Sequence, residues 1–177
     1  MQIWLEQVQD EPFNWDETQK IAKETLERPE LLDLGPVRWR GQVVYADPGY
    51  FLRARLSYEQ TLSCNRCLKP MVEQVSSDVE LMIMVEKHPP IGGEHALHEQ
   101  DLGLMYVGEE LLETDPILIE QLQLNIPMKP LCCEDCQGLC AVCGADKNAG
   151  PCSCGEATVD PRWASLAALK SRLEEKN

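Results

Sequence analysis

Cysteine is concentrated in two parts of the chain, with the spacing that is typical of metal ligands. Of the nine cysteines, Cys64 and Cys67 form a C-x-x-C pair, and the other seven lie between Cys132 and Cys154. Zinc binds four Cys thiolates in tetrahedral geometry, and proteins usually deliver them as closely spaced pairs. The spacing therefore predicts structural zinc as the cofactor, as one or two ions.

The sequence leaves open which cysteines would share an ion. Residues 138–144 have the pattern of a zinc knuckle, in which small residues let backbone amides turn towards the thiolates. One arrangement has two sites, formed by Cys140, Cys143, Cys152 and Cys154, and by Cys64, Cys67, Cys136 and either Cys132 or Cys133. A second arrangement closes a single site from Cys132, Cys136, Cys140 and Cys143. Spacing alone does not decide between them, because the fold determines which pairs meet.

Two other thiol chemistries compete with structural zinc. A thiol oxidoreductase places its C-x-x-C at a helix N-terminus in a βαβ unit, whereas Cys64 and Cys67 fall between two expected antiparallel strands. The cysteine order also differs from the ferredoxin run. A catalytic zinc commonly uses His and a carboxylate, and none of the histidines lies near the cysteine block. We predict no catalytic residues and no enzyme activity. A redox or iron–sulfur electron-transfer protein, and a generic zinc-stabilised interaction module, stay as alternatives.

The charge balance limits the partners. With 16 Lys+Arg against 30 Asp+Glu, the net charge is −14 at pH 7, which disfavours non-specific binding of nucleic acid through the overall field. The first ten residues lack the basic and apolar regions of a signal peptide, and no apolar run reaches the length of a membrane span. We expect a cytoplasmic location, where thiols stay reduced, with no membrane partner and no small-molecule substrate.

The periodicity predicts an α+β fold, with an antiparallel sheet, flanking helices and a Cys-rich zinc-knuckle C-terminal segment. Residues 1–130 are expected to form the α+β domain, and residues 131–177 a metal-binding segment with a C-terminal helix packed on the same domain. Alternating apolar residues predict a hairpin over 37–45 and 52–59, with Pro48-Gly49 as its loop and Val43 opposite Ala54. A third strand is expected at 72–85.

The remaining elements follow from cap and breaker residues. We expect a short strand at 3–8, a helix at 15–27 and a strand near 104–107. Asp115-Pro116 and Asp160-Pro161 each predict a helix start, and Pro127 would stop the first of these helices. The polar stretch 88–101 reads as a loop.

A row of arginines is the candidate contact for RNA or a partner. Alternation places Arg38, Arg40, Arg53 and Arg55 on the polar face of the hairpin, and Arg66 and Lys69 accompany the C-x-x-C pair. Such side chains can contact phosphates or acidic partners. In the alternative interpretation they pair with Glu59, Asp78 and Glu80 across strands.

Four ordered motifs resemble one family. They are the C-x-R-C-L of residues 64–68, the L-x-x-P-x-x-P-x-C of residues 124–132, the C-x-G-L-C-x-x-C-G of residues 136–144 and the D-P-R that starts at Asp160. From about Val37 to its C-terminus the chain is similar to the YceD-like family, the bacterial large ribosomal RNA subunit accumulation proteins.

The resemblance implies a non-catalytic role in synthesis, processing or stability of large-subunit (23S) ribosomal RNA. Its partner would be the RNA precursor or a basic ribosomal protein. The family motifs place metal-site cysteines at Cys64, Cys67, Cys132, Cys136, Cys140, Cys143, Cys152 and Cys154. This leaves Cys133 as the extra residue, and eight ligands would suit two tetrahedral sites.

Overall fold

A computed structural model describes residues 1–85 and 103–154. They belong to two compact units. The first unit consists of Met1–Asn65 and Lys69–Cys132, and the second consists of Arg66–Leu68 and Cys133–Asn177. Among the described residues, the first unit contains the sheets and two α-helices, and the second contains the cysteine-rich turns.

Eight strands and two short α-helices form the described part of the first unit. The strands are β1 Gln2–Trp4, β2 Phe13–Gln19, β3 Leu31–Leu34, β4 Val37–Ala46, β5 Gly49–Ser63, β6 Pro70–Val85, β7 Leu104–Val107 and β8 Leu111–Glu113. The α-helices are α1 Leu5–Val8 and α2 Thr114–Asn125, and a 3-10 turn occupies Lys23–Leu26.

Antiparallel pairing dominates the larger sheet, as the sequence predicted. Its six strands include the ordered path β2-β4-β5-β6-β7, and β3 pairs with a further part of β5. Strand β7 alone in this sheet runs parallel to its neighbour, β6. A separate two-stranded sheet joins β1 to β8. The C-x-x-C pair lies in the connection between β5 and β6, which is where the alternation placed it.

The central hairpin forms with a different register from the expected one. Val43 lies opposite Leu52 rather than Ala54, and the two-residue loop is Asp47-Pro48 rather than Pro48-Gly49. The partner numbers shift by two, and side chains alternate with a period of two. The same faces therefore stay buried and exposed, so the face assignment survives the wrong register.

The core lies on the inward face of this sheet. Trp39, Leu52 and Leu56 are completely buried, and the ring of Trp15 packs 5.6 Å from that of Trp39. The ring of Trp15 reaches this position because its strand partner, Gly41, has no side chain. A Cβ on Gly41 would lie 2.6 Å from Trp15 Cζ2 and 2.7 Å from the Arg53 carbonyl oxygen.

The prediction of a helix over residues 15–27 is wrong. Residues 13–19 form β2 instead, and the chain then turns through the 3-10 segment to Glu27 in a left-handed conformation. Packing of Trp15 over Gly41 and pairing with β4 decide the outcome, because tertiary context overrides local propensity.

Near the termini of the first unit, the other expectations are met in part. Strand β1 covers only the beginning of the strand expected at 3–8, because α1 starts at Leu5. Strand β7 coincides with the strand expected near 104–107. Helix α2 starts at Thr114, with Glu113 at the N-cap position and no side-chain cap. Asp115, the expected N-cap, lies in the first turn and pairs with the N-terminal amine of Met1.

The loop expected at 88–101 and the helix expected from Asp160 lie outside the described residues. Within residues 1–85 and 103–154, no helix combines the length and apolarity needed to cross a bilayer.

We predict that Gly41→Ala lowers the free energy of unfolding by about 1–3 kcal/mol, because the added methyl meets a packed ring and a backbone carbonyl. Gly108→Ala is the matched control, since its Cβ would meet nothing within 4 Å. It should change the free energy by less than about 0.5 kcal/mol. Urea denaturation measures both, and equal stability of the two variants would contradict this account of the Trp15 packing.

Candidate metal centres and the arginine face

Eight of the nine cysteines lie in two groups of four. One group is Cys140, Cys143, Cys152 and Cys154, and the other is Cys64, Cys67, Cys132 and Cys136. Within each group all Sγ atoms lie within 4.8 Å of one another. Four sulfurs at 2.3 Å from one zinc ion would stand about 3.8 Å apart, so these donor sets fit a tetrahedral thiolate site.

The groups match the first of the two arrangements that the spacing left open. They contain the same eight cysteines that the family motifs indicated, with Cys132 rather than Cys133 as the fourth member of its group. Cys133 is exposed and belongs to neither group. None of the nine, all of which are among the described residues, forms a disulfide.

A small hairpin positions Cys140 and Cys143. Cys140 N–H donates to the Ala145 carbonyl at 2.8 Å, and Gly144 N–H donates to the Cys140 carbonyl at 2.9 Å. Gly144 has a φ of +72°, which glycine adopts without the Cβ penalty of other residues. The turn therefore closes tightly enough to bring two sulfurs of one C-x-x-C to the same side.

Gly138 holds the start of this hairpin against the Arg66 backbone. Its φ is +69°, and an added Cβ would lie 2.9 Å from the Arg66 carbonyl oxygen. That same carbonyl accepts the Leu139 N–H at 3.1 Å. The Arg66 guanidinium donates to the carbonyls of Glu134 and Cys136 at 3.3 and 2.9 Å. Arg66 thus braces the turn that carries Cys136.

Backbone amides favour ionisation at one member of the Cys140 group. Hydrogen bonds from the backbone N–H groups of Cys143 and Val142 lower the pKa of Cys140 to about 6. The pKa of Cys154 is raised to about 12 by a hydrogen bond to the Cys143 side chain, by burial and by the negative charge of neighbouring thiolates. Four thiols this close cannot all ionise easily, because thiolates repel one another. A divalent cation removes that obstacle, since it deprotonates coordinating thiols.

Asn148 is a supporting residue that the sequence reasoning missed. Its side-chain oxygen accepts the Gln137 N–H at 2.7 Å, and its amide donates to Cys136 Sγ at 3.5 Å. Hydrogen bonds of this kind stabilise thiolate charge and orient metal ligands. The only sequence signal was Asp146, which caps the 3-10 turn at Lys147–Ala149 by accepting the Asn148 N–H.

The described residues of the second unit bury little apolar surface. Of these residues, Cys67, Cys136 and Cys140 are the buried hydrophobic ones, and each of them belongs to a four-sulfur group. The exposed side chain of Val142 faces solvent. Metal ligation by the cysteine sulfurs, rather than an apolar core, could therefore stabilise this part of the chain.

Three of the four sheet arginines are ion-paired, as the cross-strand alternative expected. Arg55 pairs with Asp78 through two hydrogen bonds, and Arg53 pairs with Glu80. Arg38 pairs with Asp16, an acid that the alternative did not name. Glu59, which it did name, accepts from Gln74 instead.

These ion pairs change the pKa of two carboxyl groups. The hydrogen bond from Arg55 lowers the pKa of Asp78, and the hydrogen bond from Arg38 lowers the pKa of Asp16. In both cases the positive charge of Arg40 adds to the effect. Arg40 lies opposite Asp16 on β2 and opposite Arg55 on β5, yet it makes no salt bridge with any residue in the described part of the chain.

Comparison with known proteins identifies the family. The family model described as large ribosomal RNA subunit accumulation protein YceD matches residues 52–170, which is more than half of the chain. This chain belongs to the YceD family. The matched range includes every cysteine and two of the four sheet arginines, Arg53 and Arg55.

Two curated relatives of this YceD-family chain are bacterial proteins without a functional name. An uncharacterized protein of Mycobacterium tuberculosis is 29% identical over 106 residues, which are 60% of this chain and 48% of that protein. The uncharacterized protein YlbN of Bacillus subtilis is 26% identical and covers 97% of this chain and 95% of its own length.

One relative of this chain has a functional name. The chloroplastic large ribosomal RNA subunit accumulation protein YCED homolog 1 of Arabidopsis thaliana is 25% identical and covers 66% of this chain and 43% of its own length. This chain thus spans about half the length of the first curated relatives it matches. No solved structure shows a significant match.

We predict that Gly138→Ala weakens the binding of a divalent metal ion more than Gly144→Ala does. Each substitution forces a positive φ on alanine, at a cost of about 1–2 kcal/mol, but only Gly138→Ala also drives a methyl into the Arg66 carbonyl. Metal binding and folding of such segments are coupled, so competition with a chromophoric chelator should show the difference. A larger loss for Gly144→Ala would contradict the proposed support.

Proposed function

We propose that this protein is a non-catalytic factor that supports the accumulation of large-subunit ribosomal RNA. The observation that carries the proposal is the family match across residues 52–170, a range that contains both candidate metal groups. The printed name of the Arabidopsis relative supports the same role. The role would act on the synthesis, processing or stability of the 23S RNA.

In this proposal each four-cysteine group holds one structural zinc ion. The all-sulfur donor sets and their spacing support zinc, because closed Cys₄ sites are structural rather than catalytic. A bound zinc ion would supply folding energy to a segment with little apolar core. The chain's own contribution is to present the sulfurs, through the glycine turns and the braces from Arg66 and Asn148.

A redox function has less support. Cys64 and Cys67 are 0% and 4% exposed, whereas a reactive dithiol must be accessible to its partner. The connection between two antiparallel strands that carries this pair also lacks the helix N-terminus of thiol oxidoreductases.

The partner in this proposal is the large-subunit RNA precursor or a basic ribosomal protein, in the cytoplasm. A net charge of −14 favours a basic protein through long-range attraction. Direct RNA contact requires a local basic surface, and Arg38, Arg40, Arg53, Arg55, Arg66 and Lys69 are the candidates that the sequence offered. Arg66 is engaged with backbone carbonyls of its own unit, so the sheet arginines are the better candidates.

The role is tested by removing the gene and measuring the ratio of 23S to 16S ribosomal RNA in growing cells. We expect the ratio to fall and to recover when the wild-type chain is supplied. An unchanged ratio, with normal large-subunit precursors in sucrose gradients, would contradict the proposed role.

We predict that the wild-type protein, purified without added metal, carries two zinc ions. Cys140→Ser should lose about one ion, because it removes a ligand from one group. Cys133→Ser is the matched control and should keep both, since Cys133 lies outside the groups. Native mass spectrometry reads the stoichiometry directly. Equal metal loss in the two variants would contradict the assignment of ligands.

A further inference from the structure

The polar face of the larger sheet carries a depression of about 380 Å³ at the level of Gly41. Two rows of directly opposed residues cross it. One row is Asp16, Arg40, Arg55 and Asp78, and the other is Asn14, Gln42, Arg53 and Glu80. All of these except Glu80 line the depression. Its volume is in the range of pockets that hold a small ligand or one unit of a polymer.

The two acids at the ends of the first row, Asp16 and Asp78, are each already paired with an arginine. Arg55 is held by Asp78, and Asp16 is held by Arg38, which lies outside the depression. In the second row, Arg53 is held by Glu80 and lies 5.5 Å from the ring of Phe51. Within residues 1–85 and 103–154, Arg40 is therefore the cation of this face without a carboxylate bound to it.

The position of Arg40 leaves its charge incompletely paired. Arg40 lies opposite Asp16 on β2, but the Asp16 carboxylate is already held by Arg38. On its other side Arg40 lies opposite Arg55, and like charges directly opposite each other destabilise an antiparallel pair. The side chain is also exposed, so it contributes nothing to the core. An exposed guanidinium that is opposed to a second one, above a depression, is a place where an anion would relieve the repulsion.

The side-chain amides beside Arg40 indicate that the anion is the phosphate of a nucleotide. Asn14 and Gln42 lie opposite each other beside Arg40. Asn14 donates to the Pro12 carbonyl, and none of the residues in the described ranges donates a hydrogen bond to its amide oxygen. Side-chain amides bind the hydrogen-bonding edges of bases, and single-stranded RNA exposes those edges. The guanidinium binds phosphate oxygens through two parallel hydrogen bonds.

We propose that this depression binds one nucleotide of single-stranded RNA, with its phosphate on Arg40 and its base beside Asn14 and Gln42. The proposal deepens the proposed function, on which it rests, by naming the RNA strand as a direct ligand. Arg53 and Arg55 are positioning residues in this site, because their carboxylate partners fix them at its edges.

The test uses the full zinc-loaded chain and a fluorescently labelled single-stranded RNA of mixed sequence, with anisotropy measured at several salt concentrations. Arg40→Gln should weaken binding at least about tenfold, because it removes a charge-assisted contact. It should also lower the slope of log affinity against log salt by about 0.7, the value for one phosphate on a single strand. Arg40→Lys, which keeps the charge but not the two-pronged contact, should give an intermediate affinity.

Lys20→Gln is the matched control, since it removes one exposed positive charge outside the depression. It should stay within about twofold of the wild-type affinity. Thermal melts check that the variants are folded. Arg40→Gln should melt close to the wild type, because the lost attraction to Asp16 and the removed repulsion with Arg55 oppose each other. Inorganic phosphate should displace the RNA only at high concentration, since it lacks the base contacts.

Equal RNA affinity of Arg40→Gln and Lys20→Gln would overturn the proposal, as would a wild-type chain that does not bind this RNA. The proposal would also be overturned if a poly-glutamate peptide displaced the labelled RNA as effectively as unlabelled RNA does. The site would then recognise negative charge without contacts to the base. The proposed function fails separately. If gene removal leaves the 23S to 16S ratio unchanged while Arg40→Gln still weakens RNA binding, the nucleotide site stands and the cellular role does not.

Discussion

Mutual repulsion among clustered thiolates is the constraint on which the cysteine-rich segment depends. Four sulfurs within 4.8 Å of one another cannot all carry negative charge without a cation between them. The surrounding backbone is nevertheless arranged to stabilise thiolate, as the Val142 amide at 3.4 Å from Cys140 Sγ shows. With few buried apolar side chains among its described residues, this unit has metal ligation as its main source of stability in our account.

The first unit is stabilised differently, by a conventional apolar core. The inward face of the sheet buries Trp39 and a series of leucines completely, and the outward face is free to carry charge. On that outer face, three arginines form salt bridges with acids of neighbouring strands, whereas Arg40 forms none with the residues that the structure describes. A face of this kind stays compatible with a strongly acidic chain, because only a small local region is left positive.

The sequence was informative where a short-range rule decides the structure. Alternation identified the strands around Trp39 and assigned the arginines to one face, and this holds despite a hairpin register that differs by two. The ligand types and spacings indicated metal groups, although the choice of Cys132 over Cys133 depends on where the chain passes in space. The helix expected at 15–27 failed because nothing local shows that Trp15 packs over Gly41 on another strand. Asn148 was missed for the same reason, since its contact with Cys136 depends on the path of the chain through the turn at Lys147–Ala149.

Amide hydrogen exchange before and after chelation tests most directly whether bound metal holds residues 133–154 in their fold. In protein purified without added metal, we predict that the hairpin amides of Cys140 and Gly144 are protected. This protection should disappear after chelation, while the amides of β4 and β5 keep theirs. Unchanged protection of the hairpin amides in protein shown to be free of metal would contradict the account.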